Sequence, residues 1–279
     1  MHFIFSLLFF LNFVGFGTPS QAQTLVNPVK KMKYARLMIK DKKYLKSATA
    51  LIQKPFLNSN EIVGKFESVG KKLRLNRDGR GLFAEIYAVT MKGVFYYLDN
   101  KKFSNPDWVE NLLVNFANIY RLILLNELND NTAAIPDSWK KVFAAEKDFK
   151  IRLSSEMMAA TRVHITRDLV YALIESNTDF KSETVLADYL LIAKALKRQT
   201  PEIWKVLKSY GPVREILPLK WEEAILVKGA IFWRKNSWSR AEFISEESDL
   251  EKRKILLNYL EKYTADRVRE ITLLGEVIR

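Results

Sequence analysis

His164 is the single histidine of this 279-residue chain outside the second position. It lies in ATRVHITRDLV, residues 160–170, between Arg162 and Arg167 and four residues before Asp168. Residues four apart on an α-helix share a face, with β-carbons about 5–6 Å apart, so the Asp168 carboxylate can accept a hydrogen bond from the imidazole. Such a contact fixes the tautomer and raises basicity, which is how a general base is prepared. Thr161 and Met157 extend the same line. Arg162 and Arg167, offset from His164 by two and three residues, point to other sides and cannot both converge on a ligand beside the ring. Two readings stay open. In one, His164 and Asp168 bind a ligand or work as an acid–base dyad in a cleft against a helix over 106–127, with Asn118, Tyr120, Thr161 and Arg162 contributing. In the other, the pair is a buried polar knot that bonds neighbouring helices.

Other chemistries lack their residues. The chain has no cysteine, hence no disulfide, no thiolate site and no cysteine nucleophile. A carboxylate-bridged metal site in a helical bundle uses Glu-x-x-His on two helices, and Thr161 stands three before the lone histidine; no metal is expected. Ser154 and Ser155 lie nearly three turns before His164, and no Gly-x-Ser-x-Gly elbow, P-loop or dinucleotide fingerprint occurs, so no cofactor is expected either. The six tryptophans read as core anchors before they read as pocket walls, and Trp139 as the residue that docks a short helix.

The elements that must position these residues are helical. Phe83, Ile86, Tyr87, Thr90, Val94 and Tyr97 recur at three- and four-residue steps, as do Val109, Leu112, Leu113, Phe116, Ala117, Tyr120 and Leu124 behind Asn105-Pro106-Asp107, a cap, first-turn proline and dipole-favoured acid. Residues 150–176 carry apolar side chains around most of their circumference, which predicts a central helix bearing His164. Further helices are predicted near 30–53, 61–73, 136–145, 181–198, 201–209, 219–236, 239–260 and 262–278, broken by NRDGRG, LNDNTAAIP, RQTP, GPVREILP and NSWSR. No alternating pattern predicts a strand. The expectation is an all-α bundle of about ten helices with a basic helical N-terminal extension.

Charge and hydropathy divide the chain further. HFIFSLLFFLNFVGF is an apolar run shorter than the roughly 20 residues that span a bilayer. Ser20 and Ala22 follow it, which reads as a signal peptide over 1–22 and export to the periplasm or beyond. Residues 30–80 hold 15 Lys and Arg against 4 Asp and Glu, +11 of the total +13. A basic segment of this kind attracts an anionic partner, and residues 30–54 would make peripheral contact with a membrane surface or envelope polysaccharide. Export argues against nucleic acid.

FAEIYAVTMKGVFYYL, NPDWVENLLVNFANIYRLIL, IPDSWKKVF, ATRVHITRDLVYAL and KGAIFWRKNSW resemble, in that order, successive blocks of domain-of-unknown-function family 5995. The resemblance runs from about residue 80 to the C-terminus and is sharpest at Phe116-Ala117-Asn118, Tyr120 and the His164/Asp168 pair. It implies a compact helical domain over 80–279, with 23–79 as an addition to it, and no reaction. Where the family usually has Asn on either side of the histidine this chain has Arg162 and Thr166, and Ile119 stands where an Arg usually follows Phe-Ala-Asn. The combined expectation is a helical protein that binds a small molecule or an envelope component near His164. The alternatives are an acid–base enzyme using His164 and Asp168 and a membrane-surface protein acting through its basic helix.

Overall fold

The computed structural model describes residues 43–148, 153–210 and 219–277. The signal segment, the first part of the basic stretch, the start of the histidine helix near 150 and the GPVREILP connection lie outside the described residues. Within them the chain is helical and has no strand, and its helices pack into one compact all-α bundle. The helices are α1 (Lys43–Ile52), α2 (Ser59–Leu75), α3 (Gly81–Asp99), α4 (Pro106–Leu128), α5 (Asp137–Asp148), α6 (Leu153–Val163), α7 (Leu169–Glu175), α8 (Glu183–Ala195), α9 (Thr200–Tyr210), α10 (Leu219–Glu246) and α11 (Leu250–Val277). Between α6 and α7 the backbone continues through a π-helical turn, His164–Asp168.

Local chemistry sets many of the ends. Asn58 caps α2 by accepting from Glu61 N, while Glu61 Oε2 accepts from Leu57 N, a reciprocal capping pair. At α4 the expected side-chain cap by Asn105 is not made. The Asp188 carboxylate of α8 instead accepts from Ser104 N and Asn105 N at 3.0 and 2.7 Å, and from Asn105 Nδ2. The break expected at NSWSR is absent, and α10 runs on to Glu246. Ser237 bonds back to Trp233 O at 3.0 Å, and Trp238 is buried, so packing overrides weak local propensity. The turn comes at 247–249, where Asp249 Oδ1 accepts from Glu251 N and Lys252 N and starts an α11 that runs unbroken through the interruption expected near 261.

The division expected at residues 79 and 80 is not followed by the packing. Ile52, Phe56, Ile62, Phe66, Val69 and Leu73 belong to the same core as Tyr87, Phe116 and Tyr120. Phe66 packs 5.1 Å from Phe56, 5.0 Å from Tyr87 and 5.3 Å from Tyr120, between ring centroids. The segment is basic only on its outer side; its apolar stripe requires burial, and α3 and α4 supply the surface. A Cβ on Gly81 would lie 2.6 Å from Gly70 O, so the two glycines let α2 and α3 touch backbone to backbone. At the centre, the π turn contacts α4, α10 and α11 together.

Candidate functional site

The π turn changes the register on which the site depends. Leu169 N donates to His164 O, an i to i+5 bond, and the Ser237 hydroxyl of α10 donates to Ile165 O at 2.7 Å. Widening the turn swings the side chains at its two ends relative to a regular helix, a device common at functional sites. His164 Nδ1 lies 2.9 Å from Asp168 Oδ2, both side chains buried. The same oxygen accepts from Trp139 Nε1 at 2.9 Å. Oδ1 accepts from Arg167 Nη1, and Arg167 Nε donates to Glu261 Oε2 of α11. Glu261 Oε1 in turn accepts from Ser138 N at the start of α5, at 2.7 Å. A chain of charge-assisted bonds therefore ties α5, the π turn and α11 together.

Electrostatics fixes the protonation states. Burial pushes the Asp168 carboxyl up, but the adjacent Arg167 guanidinium and the donors of His164 and Trp139 outweigh it and hold it below the usual carboxylate range. Burial drives the His164 imidazole below its ordinary value against the pull of Asp168, with Arg234 and Arg167 adding to the depression. The neutral ring gives its proton to Asp168 through Nδ1 and keeps a bare lone pair on Nε2.

His164 is 3% exposed and sits in an aromatic box. It stacks on Phe116 with centroids 3.7 Å apart and 13° between planes. The rings of Phe83, Tyr87, Tyr120 and Trp139 surround it at centroid distances of 5.5, 5.1, 5.8 and 6.3 Å. Within this box His164 Nε2 and the Tyr87 hydroxyl have no hydrogen-bond partner among the described residues, and burial raises the Tyr87 phenol well above its ordinary value.

The other sequence-derived candidates disperse. Tyr120 is part of the box. Asn118 clamps the chain after α1, accepting from Phe56 N at 2.8 Å and donating to Phe56 O at 3.0 Å, beside Arg121, which donates to Ile52 O. Thr161 is half-buried one turn before the π turn. Arg162 faces α10 and α11, its guanidinium 5.3 Å from the centroid of Trp233, so of the two arginines flanking His164 only Arg167 joins the dyad. Among the described residues no group of three or more His, Asp or Glu is placed to hold a metal ion.

A cleft does lie between α4 and the histidine helix, one turn beyond His164. It encloses about 220 Å³ and is lined by Ile119, Leu122 and Ile123 of α4, Ala134 and Pro136 of the following connection, and Arg167, Tyr171 and Glu175. Arg167 lies over the Tyr171 ring at 4.6 Å and forms the link from this cleft to Asp168. Trp139, Glu261 and Arg167 were not legible as site members. The single indole N–H of a buried Trp, which needs an acceptor, was the available signal for the first; Glu261, 94 residues from Arg167, offered none.

A family model matches residues 59–274, with the histidine helix, the aromatic box and the cleft all inside the matched region. The chain belongs to the family of unknown function DUF5995. The match begins at α2, in agreement with the packing of α2 into the shared core. No curated protein and no solved structure matches the chain.

Proposed function

We propose that this is an exported protein that holds a small, largely apolar ligand in the cleft between α4 and the histidine helix, with Arg167 and Tyr171 as its polar contacts. The cleft itself carries this reading, because through Arg167 it is joined to the buried His164–Asp168 pair. Its volume falls just below the range of about 300–1,000 Å³ usual for ligand pockets, which suits a ligand of two or three rings. Charge decides the ligand's character. Asp168 and Glu261 more than balance Arg167, and burial pushes the Glu175 carboxyl toward its neutral form. An added anion would meet net repulsion, while a neutral acceptor can use the Nη2 donors of Arg167. Export rests on the leader at residues 1–22, which would bring the cleft into contact with envelope and extracellular molecules.

The neutral probe N-phenyl-1-naphthylamine tests the reading. Its fluorescence is expected to rise on mixing with the full chain and to stay low with Ile119→Trp, which fills the cleft. An equal rise with that variant, at an unchanged melting temperature, would overturn the reading.

The acid–base reading draws on the partnerless Nε2 lone pair and requires the aromatic box to open before a substrate reaches it. The membrane-surface reading draws on Lys43, Lys46 and Lys54, exposed at the described end of the basic segment, and calls for liposome association that weakens with salt.

A further inference from the structure

Beyond the basic N-terminal stretch, three guanidinium groups gather around one phenol. Arg162 lies in the last turn of α6, Arg240 belongs to α10, and Arg267 and Tyr263 lie one turn apart on α11. Arg240 and Arg267 stand over the Tyr263 ring at 4.7 and 5.2 Å from its centroid. Arg162 stands over Trp233 and is within hydrogen-bonding reach of the Tyr263 hydroxyl. All five side chains are half-buried.

Arg74 is matched with Glu85, Arg80 with Asp78, and Arg167 with Asp168 and Glu261, while Arg121 and Arg234 each stand apart from other guanidinium groups and give their protons to backbone carbonyls. Arg267 has a further interaction of its own. Arg162 and Arg240 have no carboxylate partner among the described residues, and each turns to rings and to one phenol. A phenol is a poor counterion. Like charges held this close repel one another, and three helices hold them here, so the repulsion is built into the fold rather than relaxed by side-chain motion.

We propose that Arg162, Arg240, Arg267 and Tyr263 form a binding site for an oxyanion of the phosphate class, flanked by the Trp233 ring. Guanidinium forks arriving from three helices suit a tetrahedral dianion better than a planar monoanion, and arginine bonds phosphate oxygens in pairs. The site shares no residue with the lining of the neutral cleft, so the two are separate sites. The phenol reports the local field: burial raises Tyr263, but Arg240, Arg162 and Arg267 outweigh it and hold it below its ordinary value. Tyr44, Tyr87, Tyr171, Tyr189 and Tyr210 all shift upward instead.

The test uses the full chain at constant ionic strength. Calorimetric titration with inorganic phosphate is expected to give saturable heat, with the dissociation constant raised about tenfold or more in Arg240→Gln and again in Arg162→Gln. In parallel, absorbance near 295 nm should resolve one early-ionising tyrosine that disappears in Tyr263→Phe and moves to higher pH when phosphate replaces chloride. Phosphatidylglycerol vesicles distinguish the source. Association that phosphate competes away, and that the same variants lose, assigns a lipid headgroup; phosphate binding without association assigns a soluble phosphate or phosphoester. Absence of phosphate binding, or equal binding by the well-folded Arg240→Gln variant, overturns the proposal. So does an early tyrosine that phosphate leaves in place.

Discussion

Replacing His164 with Gln, and following stability against pH, isolates the protonation of one buried group. The chain has two histidines, and the other, His2, lies outside the described residues, so few side chains titrate between pH 7 and 5. Inside the bundle the imidazole is depressed below its ordinary value of 6.5, by burial first and by Arg234 and Arg167, with Asp168 opposing. In the unfolded chain it titrates near that ordinary value. Below pH 6.5 the unfolded state therefore binds more protons than the folded state, and stability falls as pH falls until the folded value is reached. One proton sets the ceiling: about 1.4 kcal/mol per pH unit, hence at most about 2 kcal/mol between pH 6.5 and 5. At 2–4 °C per kcal/mol for chains of this size, that is roughly 4–8 °C in Tm. The assay is the Tm of the parent and of His164→Gln by near-ultraviolet circular dichroism at half-unit steps from pH 7.5 to 5. The constant offset between the two curves reports lost stacking on Phe116 and the altered bond to Asp168. Only the difference in slope reports the proton. Glu175, raised by burial, contributes equally to both curves and cancels. Parallel curves would show that His164 keeps its solution affinity for protons and would refute the neutral, enclosed imidazole on which the site is built.

Asp168→Asn removes the charge that binds His164, Trp139 and Arg167 and leaves Arg167 with Glu261 alone; denaturant unfolding should register a loss of about 3–5 kcal/mol. Trp139→Phe keeps an aromatic side chain but deletes one donor to Asp168 and leaves a small cavity where the indole was fully buried, for an expected cost of about 2–4 kcal/mol in the same measurement. Gly81→Ala would press a methyl group against Gly70 O, 2.6 Å away, and should cost about 1–3 kcal/mol, against almost nothing at Gly64, where a Cβ meets open space. Asp249→Ala removes the carboxylate that accepts from Glu251 N and Lys252 N and should lower stability by about 1 kcal/mol without changing helix content elsewhere.

The periodic segments were legible because burial of one face is written into apolar spacing. The stripes of α3 and α4, the central helix carrying His164 and the all-α class follow from residues such as Phe83, Tyr87, Val109 and Phe116 without any knowledge of their partners. The contact of His164 with Asp168 was legible for the same reason, since four residues along a helix is a local distance. What stayed hidden was non-local. Asp188 of α8 replaces the expected cap at Asn105, and Ser237 and Trp238 carry α10 through a sequence that favours a break. Ala48, Phe56 and Phe66 make the basic segment part of the core. In each case a distant surface contributed more free energy than the local preference it overrode.

By itself, then, the sequence determined helix, face and dyad, because these depend on residues within one or two turns. Only the tertiary structure decided that the dyad would be sealed inside an aromatic box, that Arg167 would turn from it to a cleft and Arg162 away to Tyr263, and that Glu261 would complete the network from 94 residues away. The reason is geometric. A periodic pattern says which side chains must leave water, but which charge then meets which is settled by how the helices cross.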